Sequence, residues 1–284
     1  MSEKQSLVQL IDNRLKSGDI DLPVFDDVAL QVYRAVRKDD MDADQICELM
    51  EQDPVLVGEA LRKANSSFFS GLGAVKTLRD AMIRVGAKQV AALALEASQK
   101  RLYSMVSGPY RKRLDQLWRH TSAVAYGSRW LARKAGYLKL SDEAFVAGLL
   151  HDVGKVSLLS IIEDLSKEED GGMEISEHVV DVTLKQLNAS HGAALMQTWD
   201  MPESICQVVE QQDQPEFDDS NITLAIVRLV DKACAKEGFS DFPDPSLCLD
   251  TSAEAQVLNL NDITLAELQV VLEDAANDAM EKAA

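Results

Sequence analysis

The spacing of proline is the feature that most constrains the fold of this chain. Its 284 residues include seven prolines, and none lies between Pro54 and Pro109 or between Pro109 and Pro202. Within these stretches apolar residues recur every three to four positions, as they do along one face of an amphipathic helix. Proline breaks a helix because it lacks the backbone N–H that the helix needs. Its absence over such lengths predicts an all-α fold with no strand of consequence.

Local signals predict where the helices lie. Asp53 followed by Pro54 offers an acidic N-cap and a proline at the first helical position, which together favour a helix start. Another helix is expected over residues 23–38, and residues 166–173 and 239–250 are expected to be exposed loops. The helices expected in the second half of the chain cover residues 110–136, 141–164, 174–198, 202–212, 219–237 and 263–281.

A break at Ser107-Gly108-Pro109 predicts a boundary between two helical subdomains. Residues 1–107 form the N-terminal one, and residues 108–284 form the second, which ends in an acidic extension. We expect the first subdomain to pack on the second.

Charge is unevenly distributed along the chain. Residues 1–140 hold 22 Lys+Arg and 17 Asp+Glu, a balance of +5, whereas residues 141–284 hold 7 and 30, a balance of −23. Ten basic residues and one acid, Asp115, lie between Lys100 and Lys139. This basic stretch could attract an anionic ligand, or it could pair with acids of the C-terminal half. A net charge of −18 argues against direct DNA binding, because contacts with the phosphate backbone supply most of that affinity.

The expected location is the cytoplasm. Charges throughout the first 20 residues argue against a secretory signal. No uncharged apolar run approaches the roughly 18–20 residues needed to span a bilayer. The four cysteines form no CxxC pair, which is typical of free thiols in a reducing compartment. We therefore expect no membrane contact.

Of the four histidines in the chain, His151 lies in the sequence context that says most about a possible site, because Asp152 follows it directly. It follows an apolar run that ends at Leu150, and Gly154 and Lys155 come next. An imidazole and a carboxylate behind a buried segment need compensation, because isolated charge is costly in low dielectric. One divalent transition metal ion (Mn, Fe, Co, Ni or Zn) would supply it. A hydrogen-bonded pair that stabilises the fold is the alternative. Lys155 is expected to carry a mobile ammonium, which suits a phosphate oxygen.

Two further residues could complete such a site. His120 precedes His151 by 31 residues, a separation that a helix, a turn and a helix can close. Asp231 is an acid in the apolar face of a late helix, and buried Asp is rare unless it is paired or coordinated. The alternatives are an ordinary helix histidine for His120 and a salt bridge for Asp231.

In this order the four residues resemble the metal-ligand pattern of the HD superfamily of metal-dependent phosphohydrolases. The N-terminal half resembles the HDOD family, the HD-related output domains of bacterial signalling. DLPVFDDVALQV (21–32), MEQDPVLVGEALRKANSSFF (50–69) and TLRDAMIRVGAKQVAALAL (77–95) carry this resemblance. It implies an HD-like helical bundle with an N-terminal helical subdomain. It also implies one metal held by His120, His151, Asp152 and Asp231.

The chain departs from relatives that hold two metals. Those relatives have a further His, which matches His191, and then a His-His pair, where this chain has Gln211-Gln212. It also lacks the Gly-Tyr-Pro of the HD-GYP phosphodiesterases. We therefore expect one ion at most, with His191 behind the ligands and not bound to the ion.

The expected function is that of a cytoplasmic signalling module that binds a protein partner or a nucleotide-like anion. The alternative is a phosphohydrolase acting on a nucleotide or another phosphate ester. In that case the metal would activate water and Lys155 would stabilise charge on the phosphate.

Overall fold

The structure, a computed structural model, describes residues 7–17, 27–38, 41–66, 73–105, 108–167 and 175–281. Every regular element in these residues is a helix, so the all-α prediction is confirmed. Contacts divide the chain into two compact units, one of residues 24–105 and a larger one of residues 1–23 and 106–284. The subdomain boundary expected at residues 107 and 108 stays a prediction, and residue 107 lies outside the described part.

The smaller unit is a cluster of helices with an aliphatic core. Asp53 caps one of them as expected, since its carboxylate accepts hydrogen bonds from the Val55 and Leu56 amides. The same carboxylate binds the guanidinium of Arg101. The expected start at Pro23 lies outside the described residues. The helices are α2 (Asp27–Lys38), α3 (Ala43–Met50), α4 (Pro54–Ala64), α5 (Leu78–Val85) and α6 (Ala87–Met105).

The larger unit contains longer helices. They are α1 (Leu7–Ser17), α7 (Arg111–Lys134), α8 (Ser141–Leu150), α9 (Val153–Lys167), α10 (Glu177–Thr198), α11 (Glu203–Gln211), α12 (Ile222–Lys236), α13 (Ala253–Val257) and α14 (Asp262–Glu281), with a 3₁₀ helix at Leu138–Leu140. Helix α7 lies at the centre and packs on α8, α12 and α14, while α9 packs on α10. A Cβ on Gly148 would lie 3.0 Å from the Val124 carbonyl oxygen, so glycine permits the close approach of α7 and α8.

The single helix expected over residues 141–164 is wrong, because two helices meet there at a turn formed by His151 and Asp152. Side chains from other helices bind the backbone at this break. The Gln212 amide donates a hydrogen bond to the His151 carbonyl, and Asn188 Oδ1 accepts one from the Lys155 amide at 3.1 Å. Backbone groups at the break therefore bond to side chains of α10 and of the end of α11.

The loop expected over residues 239–250 is present without regular structure, whereas residues 168–173 of the other expected loop lie outside the described part. The short helix α13 was not predicted.

The segment Leu138–Lys167 has the length and composition of a membrane-spanning helix, with a mean hydropathy of 1.6. In the structure 94% of its apolar window is buried inside the protein. The core of the larger unit therefore accounts for its apolar character.

Candidate metal centre

Two imidazoles and a carboxylate from three parts of the larger unit, those of His120, His151 and Asp231, converge on one point. We call them the donor group. His120 Nε2, on α7, lies 3.1 Å from His151 Nε2 and 3.2 Å from Asp231 Oδ1, on α12. His151 Nε2 lies 3.9 Å from the same oxygen. Ligand atoms about 2.1 Å from one ion stand roughly 3.0–3.4 Å apart. The two separations from His120 fall in this range, and the third, at 3.9 Å, is wider than it.

Asp152 lies at the edge of this group. Its Oδ2 is 3.4 Å from Nε2 of both His120 and His151. The same oxygen accepts a hydrogen bond of 2.7 Å from the Lys155 ammonium, and Oδ1 accepts one of 2.8 Å from the Asn188 amide. Asp152 is thus near enough to serve as a fourth ligand, but its oxygens already have partners.

Three of the four side chains are buried, and the fourth is partly exposed. The side chains of His120, His151 and Asp152 are 2%, 1% and 4% exposed, whereas that of Asp231 is 39% exposed. Solvent therefore reaches the Asp231 side chain but hardly the other three. Catalytic metal sites keep such an open position, and structural ones are closed.

The two histidines differ in protonation. Burial disfavours the imidazolium of His120, but hydrogen bonds to Asp152 and Asp231 outweigh it and raise the His120 pKa well above its usual value. Burial lowers the pKa of His151. Burial alone would raise the Asp152 pKa, yet His151 and Lys155 hold it well below its usual value. In the absence of an ion, the proton on His120 offsets the carboxylates, and a bound cation could take its place.

Neighbouring groups orient His151 and Asp152. The Nδ1 of His151 lies 2.7 Å from the Gly148 carbonyl oxygen, which directs Nε2 toward the other donors. Asn188, 2% exposed on α10, bonds both the Asp152 carboxylate and the Lys155 amide. Sequence reasoning missed Asn188, since a lone Asn within a helix has no spacing signature.

Lys155 is buried, which differs from the mobile ammonium expected from the sequence. It is 8% exposed and lies 3.6 Å from Asp241 Oδ2 as well as against Asp152. Burial would lower its pKa, but Asp152 and Asp241 raise it above the usual value, so the side chain stays charged. Its contact with phosphate stays a prediction.

His191 stands apart from the donor group. Its Nε2 lies 2.8 Å from Ser157 Oγ, and burial lowers its pKa to about 4. Gln212, at the position of the missing His-His pair, bonds backbone carbonyls instead. Asp213 was also missed: burial, Asp152 and Asp231 raise the pKa of its carboxyl, as expected of an acid close to the group.

Some residues of the basic stretch pair with acids of the C-terminal half, as the second alternative expects, whereas Arg101 and Arg111 bind Asp53 and Asp115 of the N-terminal half. Arg113 binds Glu177 and Asp181, and Lys134 binds Glu267. Lys112 and Arg119 have no carboxylate partner among the described residues.

The chain has clear relatives. The HDOD domain model matches residues 22–215. An uncharacterised protein of Treponema pallidum (strain Nichols) is 28% identical over 197 residues, which cover 66% of this chain. The chain spans only 37% of the length of that relative.

Solved structures share the fold. An HDOD domain protein of unknown function from Geobacter sulfurreducens superposes with a TM-score of 0.76 at 22% identity, covering 95% of this chain and 96% of the other. A candidate metal-dependent phosphohydrolase from Shewanella amazonensis SB2B gives 0.73 at 19% identity, covering 95% and 98%. A protein from Marinobacter aquaeolei VT8 named for a role in signal transduction gives 0.67 at 20% identity, covering 99% and 67%.

Proposed function

Because this chain belongs to the HDOD family, we propose that it is a signalling module with one divalent metal ion in its larger unit. The ligands are His120, His151 and Asp231, with Asp152 as the fourth. The observation that carries the proposal is the spacing of the donor atoms, 3.1–3.9 Å, around a point open on the side of Asp231. Two imidazoles with carboxylates suit Mn, Fe, Co, Ni or Zn.

The residues around the donors have roles of their own. The Gly148 carbonyl accepts from His151 Nδ1 and so leaves Nε2 with a lone pair for the ion. Asn188 fixes the plane of the Asp152 carboxylate. Lys155 competes with the ion for Asp152 Oδ2, because its ammonium already lies 2.7 Å from that oxygen.

We propose that the module responds to a protein partner or to a phosphate-bearing small molecule. The naming of the Marinobacter relative supports a signalling role. A bound metal and the Lys155 ammonium would both attract phosphate oxygens, while the acidic surface of the chain argues against nucleic acid.

A second candidate is a metal-dependent phosphohydrolase, as the Shewanella relative is named. The observation that favours it is the partial exposure of Asp231, through which water would reach the ion. The metal would supply an activated water and polarise the phosphate. Lys155 would stabilise negative charge that develops on the phosphate oxygens.

The test measures metal content and metal-dependent stability. Protein purified without chelator should contain one ion per chain, and removing that ion with a chelator should lower the melting temperature. A ligand that binds only the folded state at 100 times its Kd adds about 2.7 kcal/mol of stability. Asp231→Asn should abolish both effects.

Asp274→Asn is the matched control, since it removes the same charge from an exposed position on α14. It should behave as the wild type does. The proposal is wrong if the wild type holds no ion and none of the five metals raises its melting temperature. Two ions per chain would contradict the single-ion part.

A further inference from the structure

A cavity of about 520 Å³ lies within the larger unit, beside the candidate metal centre. Its walls are the N-terminal half of α7 and the segment 238–243 that follows α12. The volume is in the range of small-molecule sites, about 300–1,000 Å³. None of the four proposed metal ligands lines it, so it is a separate site.

Two of the cations that line the cavity are available to a ligand. Arg113 is occupied by Glu177 and Asp181. Lys112 is exposed and has no acid partner among the described residues. Among the described residues Arg119 donates a hydrogen bond to an amide oxygen, that of Asn277 at 3.5 Å, and its buried Nε has no hydrogen-bond acceptor. A guanidinium and an ammonium seven residues apart on one helix lie on the same face.

Three cations and two acids line the cavity, and each acid lies near a cation. Glu177 is paired with Arg113, and Asp241 lies 3.6 Å from the Lys155 ammonium. The charge left for a ligand is therefore positive, although the chain as a whole is strongly acidic. Such a local field concentrates anions.

The cavity also has an apolar wall. Pro109, Phe239 and Pro243 line it, and the guanidinium carbon of Arg119 lies 4.7 Å from the centre of the Phe239 ring. This stacking holds the guanidinium in a fixed orientation without using its hydrogen-bond donors. A ligand that fits must combine an anion with a flat or apolar part.

We propose that this cavity binds a ring-bearing organic phosphate of mononucleotide size. Lys112 and Arg119 bind the phosphate, and the ring lies against Pro109, Phe239 and Pro243. The cavity is joined to the metal group through Asp241, which contacts Lys155, which in turn binds Asp152. The inference rests on the proposed function in that this ligand is the small molecule to which the module responds.

The experiment measures binding of AMP, adenosine and inorganic phosphate by calorimetry, with a chelator present so that no metal takes part. AMP should bind more tightly than either fragment. Lys112→Gln and Arg119→Gln should each weaken AMP binding about tenfold, because each removes a charged hydrogen bond. Lys139→Gln, an equal change of charge at an exposed position outside the cavity, should leave binding unchanged.

Three results would overturn the inference: no AMP binding, adenosine binding as tightly as AMP, or AMP binding that Lys112→Gln leaves unchanged. Lys112 is exposed, so this variant tests the cavity even if Arg119→Gln disturbs folding. Metal content of the same protein preparations, measured before the chelator is added, separates the two proposals. Normal metal content without AMP binding contradicts only the cavity, and AMP binding without metal contradicts only the metal centre.

Discussion

At the residue scale, the donor group is held in place by side chains and a backbone carbonyl that would not themselves touch an ion. His151 is fixed at both ends, by Gly148 at its ring and by Gln212 at its carbonyl. Asp152 is fixed by Asn188 and Lys155. Partners of this kind orient metal ligands and raise affinity.

Replacing Asn188 tests this arrangement. Asn188→Ala leaves Asp152 Oδ1 buried without its hydrogen bond, which should lower the free energy of unfolding by about 1–3 kcal/mol. Metal affinity should fall by about tenfold or more, as with other groups that orient ligands. Denaturant unfolding and metal titration measure the two effects. Ser190→Ala, at an exposed position of the same helix, is the control, and equal metal affinity in Asn188→Ala would contradict the positioning role.

His191 should make stability depend on pH. Its folded pKa is about 4, below the unfolded value of about 6.5, because burial disfavours the imidazolium. As the pH falls from about 6.5 to about 4, His191 binds a proton in the unfolded chain but not in the folded one. Stability should therefore fall, by at most about 3 kcal/mol.

Denaturant unfolding of wild type and His191→Gln at several pH values checks this, and the variant should lose less stability between neutral pH and pH of about 4. His178→Gln, an exposed histidine on the same helix, serves as control. Parallel pH profiles for wild type and His191→Gln would contradict the prediction.

The sequence predicted the residues that the structure brings together, His120, His151, Asp152 and Asp231, because their order and context are distinctive. It did not predict Asn188 or Asp241. Their roles come from contacts between segments far apart in sequence, and no local pattern records such contacts. Metal binding by the four stays a prediction.

At the element scale, the junction of α8 and α9 decides the geometry of the site. A continuous helix would point adjacent residues about 100° apart, whereas the turn at His151-Asp152 brings both side chains toward the donor group. The apolar pattern of residues 141–164 runs through the break, so periodicity alone predicted one helix. The hydrogen bonds at the break, which Asn188 accepts and Gln212 donates, join residues far apart in sequence.

The close crossing of α9 and α10 at Gly154 is testable. A Cβ there would lie 2.3 Å from the Asn188 carbonyl oxygen and 2.8 Å from its Oδ1, so the helices must separate. Gly154→Ala should therefore destabilise by about 1–3 kcal/mol and weaken metal binding by displacing Asn188. Gly58→Ala in α4 meets nothing within 4 Å and is the control. Equal stability and metal affinity in Gly154→Ala and wild type would contradict the crossing.

At the scale of the whole molecule, charge is segregated along the chain and partly recombined in the larger unit. The basic helix α7 pairs with acids on α10 and α14, as Arg113 does with Asp181 and Lys134 with Glu267. These pairs were one of two outcomes that the sequence left open, because composition does not say which charges meet. The remaining net charge of −18 makes the folded chain repel itself.

Added salt should therefore stabilise the protein. Raising NaCl from about 0.05 to 0.5 M shortens the Debye length and screens this repulsion more than it weakens the few partly buried pairs. The melting temperature should rise by a few degrees. Sucrose at matched osmolality is the control for solvent effects, and a melting temperature that falls with salt would mean that ion pairs outweigh repulsion.

The burial of Leu138–Lys167 has a consequence for biosynthesis. Helices α10, α11 and α12, which cover α8 and α9, are translated after them. Among the main packing partners of this apolar segment, only α7 has already been translated when the segment leaves the ribosome. Until the later helices emerge, the nascent chain exposes an apolar surface. Chaperones bind such surfaces, and aggregation begins at them. Translation pauses in the codons for α10 would lengthen that exposure.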